Sequence, residues 1–355
     1  MGLVARGSPQ VTAVGPAEWR PAFERWHSGL VITALITACL IPGPPSATVG
    51  GASLLVGGAL LGVPHGASDF LVAHELFESR LGALWLPVFV TAYLGLGLCV
   101  LAGWTLAPVT TLIGFVLVSC VHFGHEGCCE RPQHMISLGF AARATTPLVP
   151  VLFLHPGDVG PIVAMLASVS EADAIHWLEV LRPAMLCAWA GFTTVAIAHQ
   201  LALQPIRSSR LETAELGALG TASVLAAPLT VFMIYFCLLH AIRHMGQLMS
   251  RLHPLRPSEA LRSASLIVGP AAVICCVVLG LCWAGAAGAM PTTSVIAGAL
   301  RILAALTVPH MILELMSHYG ESLTLPVSAA LSPAESRHRG ETDPDQNGAA
   351  HRRMG

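Results

Sequence analysis

The sequence predicts an all-α fold, a polytopic transmembrane helical bundle of eight to ten spans. Three observations carry that prediction. Apolar residues make up 54% of the 355, mean hydropathy is +0.69, and 11% of residues are charged, against about 25% in a typical soluble domain. No Asp, Glu, Lys or Arg occurs between Arg25 and Asp69, between Arg80 and Glu126, or between Arg262 and Arg301. These gaps of 43, 45 and 38 residues each hold two crossings, since one helical crossing takes about 20 residues. Finally, the apolar runs are continuous and rich in Ala and Leu. A membrane strand would instead show short alternating segments.

Taken in order, the expected spans are 30–45, 51–66, 84–103, 108–122, 136–153, 183–203, 216–243, 265–286 and 292–315. Several begin or end beside Pro or Gly, which punctuate helices. Residues 156–182 contain Asp158, Glu171, Asp173 and Glu179 and are expected to connect spans, with one short helix. The organisation expected is a cytoplasmic segment over 1–28, a transmembrane catalytic domain over 29–318 and a disordered tail over 328–355. That tail has eight charged residues in 28 and little to bury.

Arginine placement sets the orientation, because short basic loops stay on the cytoplasmic side. Arg6, Arg20 and Arg25 precede the first span and put the N-terminus inside. Arg80, Arg131, Arg207 and Arg210 follow on the same side if spans alternate. The basic loop Arg251, Arg256, Arg262 returns inside only if 216–243 is two shorter passes meeting near Pro228. The expected location is a multi-pass position in the inner (cytoplasmic) membrane.

Bulk chemistry excludes several classes. The net charge is −2 and all 18 basic residues are Arg, with no basic domain, so nucleic acid is not an expected partner. Eight of the ten cysteines lie in apolar stretches, where Cys acts as a small hydrophobe. Cys128 and Cys129 are adjacent, without zinc-knuckle spacing. The first apolar run starts near Leu30, too late for a cleaved signal.

The 16 histidines are the feature that needs an explanation. Burying an imidazole without a partner costs free energy, so histidines inside a membrane are functional candidates. Five stand at span ends: His65 in GVPHGASD, His122 in SCVHFGHE, His240 and His244 in LLHAIRHM, and His310 in TVPHMILE. With two passes around Pro228, all five fall at the cytoplasmic ends. One metal ion requires that common depth.

His240 and His244 carry the strongest local signal. A spacing of four stacks both rings on one helix face, the usual way a helix offers two ligands to one ion. The same spacing also serves a helix–helix hydrogen bond or haem ligation. Arg243 between them is expected to point sideways toward headgroups. Asp69, four residues past His65, is placed to hold that imidazole's tautomer, or else to cap a helix beside a solvated His. His310 with Glu314 supports the site or binds water. His125 is expected to be solvated, His74 to be solvated or to stand just behind the metal ligands, and the remaining histidines, His27 and His155 among them, to be solvated or ordinary packing residues.

Four imidazoles with few carboxylates describe a mononuclear site for a borderline metal rather than for calcium or magnesium. Tetrahedral zinc would be filled by them. Six-coordinate ferrous iron keeps two positions for dioxygen or water, and an apolar surround suits a lipid-soluble substrate.

The order GVPHGASD, HFG, LHAIRH and VPHM resembles the Brp/Blh family of bacterial and archaeal beta-carotene 15,15'-dioxygenases, over roughly residues 50–315. The resemblance implies cleavage of beta-carotene at its central double bond by iron(II), Fe(2+), and O2, giving two retinal molecules. It maps the iron ligands onto His65, His122, His240 and His244, and matches Asp69 and His310 to further family elements. It also implies membrane lipid as the setting and a retinal-binding rhodopsin as product acceptor. Phe70 after Asp69, and HFG running into HEG, depart from the family pattern in ways that bear on substrate preference. Phe123, Phe232, Tyr235, Phe236 and Trp283 are available to line a path for the polyene, against ordinary core packing.

The rival classes are an oxygenase acting on another carotenoid or lipid, a haem-binding membrane protein and a transporter. A diiron desaturase needs repeated HxxxH and HxxHH clusters, and the chain has no HH pair. Transporters show internal repeats and broken spans, of which only Pro228 gives a hint.

Overall fold

The structure is a computed structural model that describes residues 16–40, 66, 69–125, 138–203, 207–251 and 292–330. Contacts divide the chain into two units, Met1–Glu314 and Leu315–Gly355. All packing described below belongs to the first; the described part of the second is the final stretch of one helix. Among the described residues there is no strand, and the all-α membrane bundle stands.

The helices are α1 (Pro16–Leu40), α2 (Asp69–Leu81), α3 (Trp85–Leu106), α4 (Pro108–His125), α5 (Leu138–Thr145) and α6 (Val149–Leu154). They continue with α7 (Pro156–Ala167), α8 (Glu171–Leu203), α9 (Arg207–Leu225), α10 (Pro228–Met233), a π-helical segment (Ile234–Ala241), α11 (Ile242–Arg251) and α12 (Thr292–Ala330). Among the described residues, five stretches are long and apolar enough to cross a membrane: Asp69–Leu106, Pro108–His125, Glu171–Ala202, Pro228–Gly246 and Ile296–Ser317. The expected span 265–286 lies outside the described residues, as do all of 51–66 but its last residue and the segments 1–15 and 331–355.

Proline decides two departures from expectation. The span expected over 136–153 is instead α5 and α6, separated by a turn at residues 146–148. Pro147 has no N–H to give and its ring crowds the preceding turn, so the helix stops. By contrast, α8 runs through Pro183 for 33 residues. It starts at Glu171, not near Pro183, because Ser170 caps it: the Asp173 amide donates to Ser170 Oγ (3.1 Å), and that hydroxyl donates to Asp173 Oδ2 (2.5 Å). This reciprocal pair satisfies a free helix-terminal amide.

The break expected near Pro228 is present. α9 ends at Leu225, Ala227 is extended, and Pro228 opens α10 at a first-turn position, where a missing N–H costs nothing.

The main core gathers Val31 and Leu35 of α1, Trp104 of α3, Phe123 of α4, Leu219 and Ala222 of α9, Val231 of α10, and Ile296 and Ala304 of α12. A second cluster joins Val149 and Phe153 of α6 to Val159 and Val163 of α7 and Leu178 of α8. Gly97 lets α3 approach α12 closely: a Cβ there would lie 3.2 Å from the Ala305 carbonyl oxygen. Small residues permit such contacts between membrane helices. That contact brings Tyr93, one turn earlier on α3, against α12.

Candidate metal centre

Four elements deliver histidines to one place. α4 ends in VHFGH and buries His122, while the π segment carries His240 in its last turn and α11 carries His244. α12 presents His310 and Glu314, four residues apart and therefore on one face. The rings form a closed circuit: His122 to His240 4.7 Å, His240 to His244 6.4 Å, His244 to His310 5.5 Å, and His310 to His122 5.2 Å between centroids. His122, His240 and His310 are buried. Each of the three apolar stretches involved reaches the cluster near its C-terminal end, which gives the common depth that one ion needs.

The polar contacts within the circuit are specific. His122 Nε2 and His240 Nε2 are 3.0 Å apart. Glu314 lies across the circuit, with Oε2 3.2 Å from His122 Nδ1 and Oε1 3.0 Å from His244 Nδ1. Its Oε2 is also 3.9 Å from His310 Nε2. Donor atoms of His122, His310 and Glu314 lie within 4.8 Å of one another. Behind His310, Asp69 Oδ1 accepts from Nδ1 at 2.5 Å, and Tyr93 donates to Asp69 Oδ2 at 2.8 Å. The Leu306 carbonyl is 3.2 Å from the same tyrosine hydroxyl.

The π segment explains how the aromatic surround forms. A π turn bonds residue i to i+5, so Tyr235 and His240, five apart, stack at 6.2 Å, and Phe236 stacks on His240 at 5.9 Å. Phe123 closes the side with its ring 5.1 Å from His240 and 4.9 Å from Tyr235. Gly124 makes room for α5: a Cβ there would fall 2.5 Å from the Phe140 ring.

His27, expected to be ordinary packing, donates from Nε2 to the Leu238 carbonyl at 2.6 Å, inside the π segment and two residues before His240. It stacks on Phe23. Arg243, expected to reach for headgroups, instead pairs with buried Glu215 at 2.5 Å. Both line a cavity of about 60 Å³, bounded also by Phe123, Tyr235, Leu239 and Arg143. That volume holds a few waters and no more.

The sequence candidates sort as follows. His122, His240, His244, His310 and Glu314 are brought together. The sequence places Asp69 beside His65; in the structure its carboxylate binds His310 and Tyr93, while His65 lies outside the described residues. Trp283 lies outside them too. His125 turns back to its own helix, Nδ1 to the Val121 carbonyl at 2.7 Å. His74 pairs with Glu78 at the surface.

Sequence reading did not single out Tyr93 or His27. A signal for the first exists: the chain has three tyrosines, and Tyr93 and Tyr235 both stand at this cluster. Nothing local marks His27, whose partner is 211 residues away.

Imidazoles with one or two carboxylates are a donor set for a divalent transition metal, and these residues fit one. Two imidazole nitrogens each about 2.1 Å from one ion and at right angles would be about 3.0 Å apart, the separation seen between His122 and His240. Haem fits poorly: its axial nitrogens stand about 4 Å apart with the macrocycle between them.

The apolar helices and the buried histidine–carboxylate cluster therefore define a helical membrane protein with a group of side chains that could hold a metal ion. Residues 56–317 match the family described as beta-carotene 15,15'-dioxygenase, and the chain belongs to that family, whose members are carotenoid-cleaving enzymes. It is 25% identical over 320 residues to a protein of Halobacterium salinarum described as a probable beta-carotene 15,15'-dioxygenase Blh, covering 82% of this chain and 90% of that one. It is 27% identical over 267 residues to a beta-carotene 15,15'-dioxygenase of uncultured marine bacterium 66A03, covering 71% and 88%. No solved structure matches. Family membership favours an enzyme over the transport alternative.

Proposed function

We propose that the chain cleaves beta-carotene at its 15,15' double bond with O2 and iron(II), giving two molecules of retinal. The observation that supports this most is the convergence of four imidazoles and Glu314 in one buried circuit at the ends of apolar helices. His65, His122, His240 and His244 would hold the ion, with Asp69, His310 and Glu314 around them. Bound there, ferrous iron supplies the activation of dioxygen that a closed-shell polyene cannot achieve alone.

The residues of the chain do the rest. Phe123, Tyr235 and Phe236 wall the His240 side with apolar rings, which excludes water and offers π faces to a polyene. Each product aldehyde takes one oxygen atom of O2, so no proton, reductant or leaving group has to be handled. That balance agrees with a site whose carboxylates are all engaged by histidine or tyrosine. Membrane lipid delivers the substrate and takes up the product in the inner membrane, and a retinal-binding rhodopsin is the acceptor this reading names.

Coexpression with a beta-carotene supply in a colourless bacterial host tests the reading. Retinal and loss of orange colour are expected from the wild type, and neither from His240→Ala at equal protein level. Unchanged carotene with the wild type folded and iron-loaded would refute the beta-carotene assignment and direct attention to another carotenoid or lipid.

A further inference from the structure

We infer that Glu314 is a positioning residue that locks two metal-binding histidines at once, His122 and His244, in the tautomer that turns Nε2 toward the ion. The inference rests on the metal-centre reading above and concerns the same site.

A carboxylate oxygen facing an imidazole nitrogen can only accept, so Glu314 requires N–H at Nδ1 of both rings. Oε2 faces His122 Nδ1 at 3.2 Å and Oε1 faces His244 Nδ1 at 3.0 Å. With the proton on Nδ1, the lone pair of each ring is on Nε2. For His122 that nitrogen is the one 3.0 Å from His240 Nε2. Two Nε2 atoms at that distance are placed as neighbouring ligands of one cation. A carboxylate on the far nitrogen also raises the basicity of the ligating one.

The clamp spans three helices. His122 comes from α4, His244 from α11 and Glu314 from α12, residues 70 to 192 apart in the chain, so one side chain fixes how three elements meet. Glu314 is itself held in register. His310, one turn before it on α12, is tied through Nδ1 to Asp69, and Asp69 is tied to Tyr93. That second carboxylate sets the His310 ring as a wall, with its Nε2 edge 3.9 Å from Glu314 Oε2. Thus α2 and α3 position the clamp through α12.

The test is metal titration of the purified full-length protein. Metal is stripped by chelator and replaced with cobalt(II), whose visible bands report the ligand number and type. Glu314→Gln is isosteric, so packing survives, yet its amide offers one acceptor oxygen where two are needed. Cobalt affinity is expected to fall about 10-fold for Glu314→Gln and up to about 100-fold for Glu314→Ala, the range for lost outer partners. The band positions should stay those of the wild type. Tyr93→Phe should follow with a smaller loss. Wild-type affinity in Glu314→Gln would overturn the inference, since a packing role alone leaves that variant unaffected. Bands that shift on substitution would overturn it differently, by making Glu314 a ligand. Failure of the wild type to bind cobalt would overturn the metal reading itself, and this inference with it.

Discussion

Two stretches of this chain cross the same bilayer for different purposes. The stretch Asp69–Leu106 has a most apolar window of mean hydropathy 2.1 with none of it buried, whereas Pro228–Gly246 reaches 1.4 with half of it buried. On α3 the large side chains Leu94, Leu98 and Leu101 face outward, as lipid allows. Around the π segment, Val231, Tyr235, Leu239 and His240 face protein. The more apolar helix is therefore the less buried one. In this pair hydropathy follows contact with lipid, and the less apolar stretch carries the histidines, because protein neighbours satisfy its polar groups.

Truncating a buried leucine of the second stretch is the largest effect this comparison predicts. Leu239 is 6% exposed, neighbours His240, and lines the small cavity behind it. Leu239→Ala should cost about 2–5 kcal/mol, the span seen when buried leucines leave a cavity. Thermal unfolding of the purified protein in lipid nanodiscs measures it. An unchanged midpoint would mean that the wall behind His240 is not tightly packed.

Much of the fold was legible because its signals are local. Apolar length gives the helices, Pro228 gives the break, and spacing of four gives His240 with His244 and His310 with Glu314. Where partners are distant, sequence has no local mark. Pro147 and Pro183 are the same residue type, yet one ends a helix and the other sits inside one. Asp69 lies four residues from His65, but its contacts are with Tyr93 and with His310, 241 residues away. The π segment carries no composition that distinguishes it from an ordinary apolar helix, and its register is fixed partly from outside, by His27.

That outside support predicts the intermediate effect. His27→Ala removes the donor on the Leu238 carbonyl and leaves a buried acceptor, a loss of about 1–3 kcal/mol. Because Leu238 precedes His240 by two residues, turnover should fall as well, with KM little changed. His27→Gln keeps an N–H donor and should recover part of both. Equal turnover in His27→Ala and wild type would show that the π segment holds its register without α1.

The smallest effect belongs to the lipid-facing helix. Leu98 is 65% exposed among the described residues, so Leu98→Ala exchanges protein–lipid contact for lipid–lipid contact. Lipid tails are as apolar as leucine, and substitutions away from packed sites stay within about 0.5 kcal/mol. The same nanodisc melt should therefore leave Leu98→Ala near the wild type, while Leu239→Ala falls far below it. A loss at Leu98 as large as at Leu239 would mean that protein covers this face of α3. The contrast between the two stretches would then concern which surfaces meet other protein, and their difference in hydropathy would not report contact with lipid.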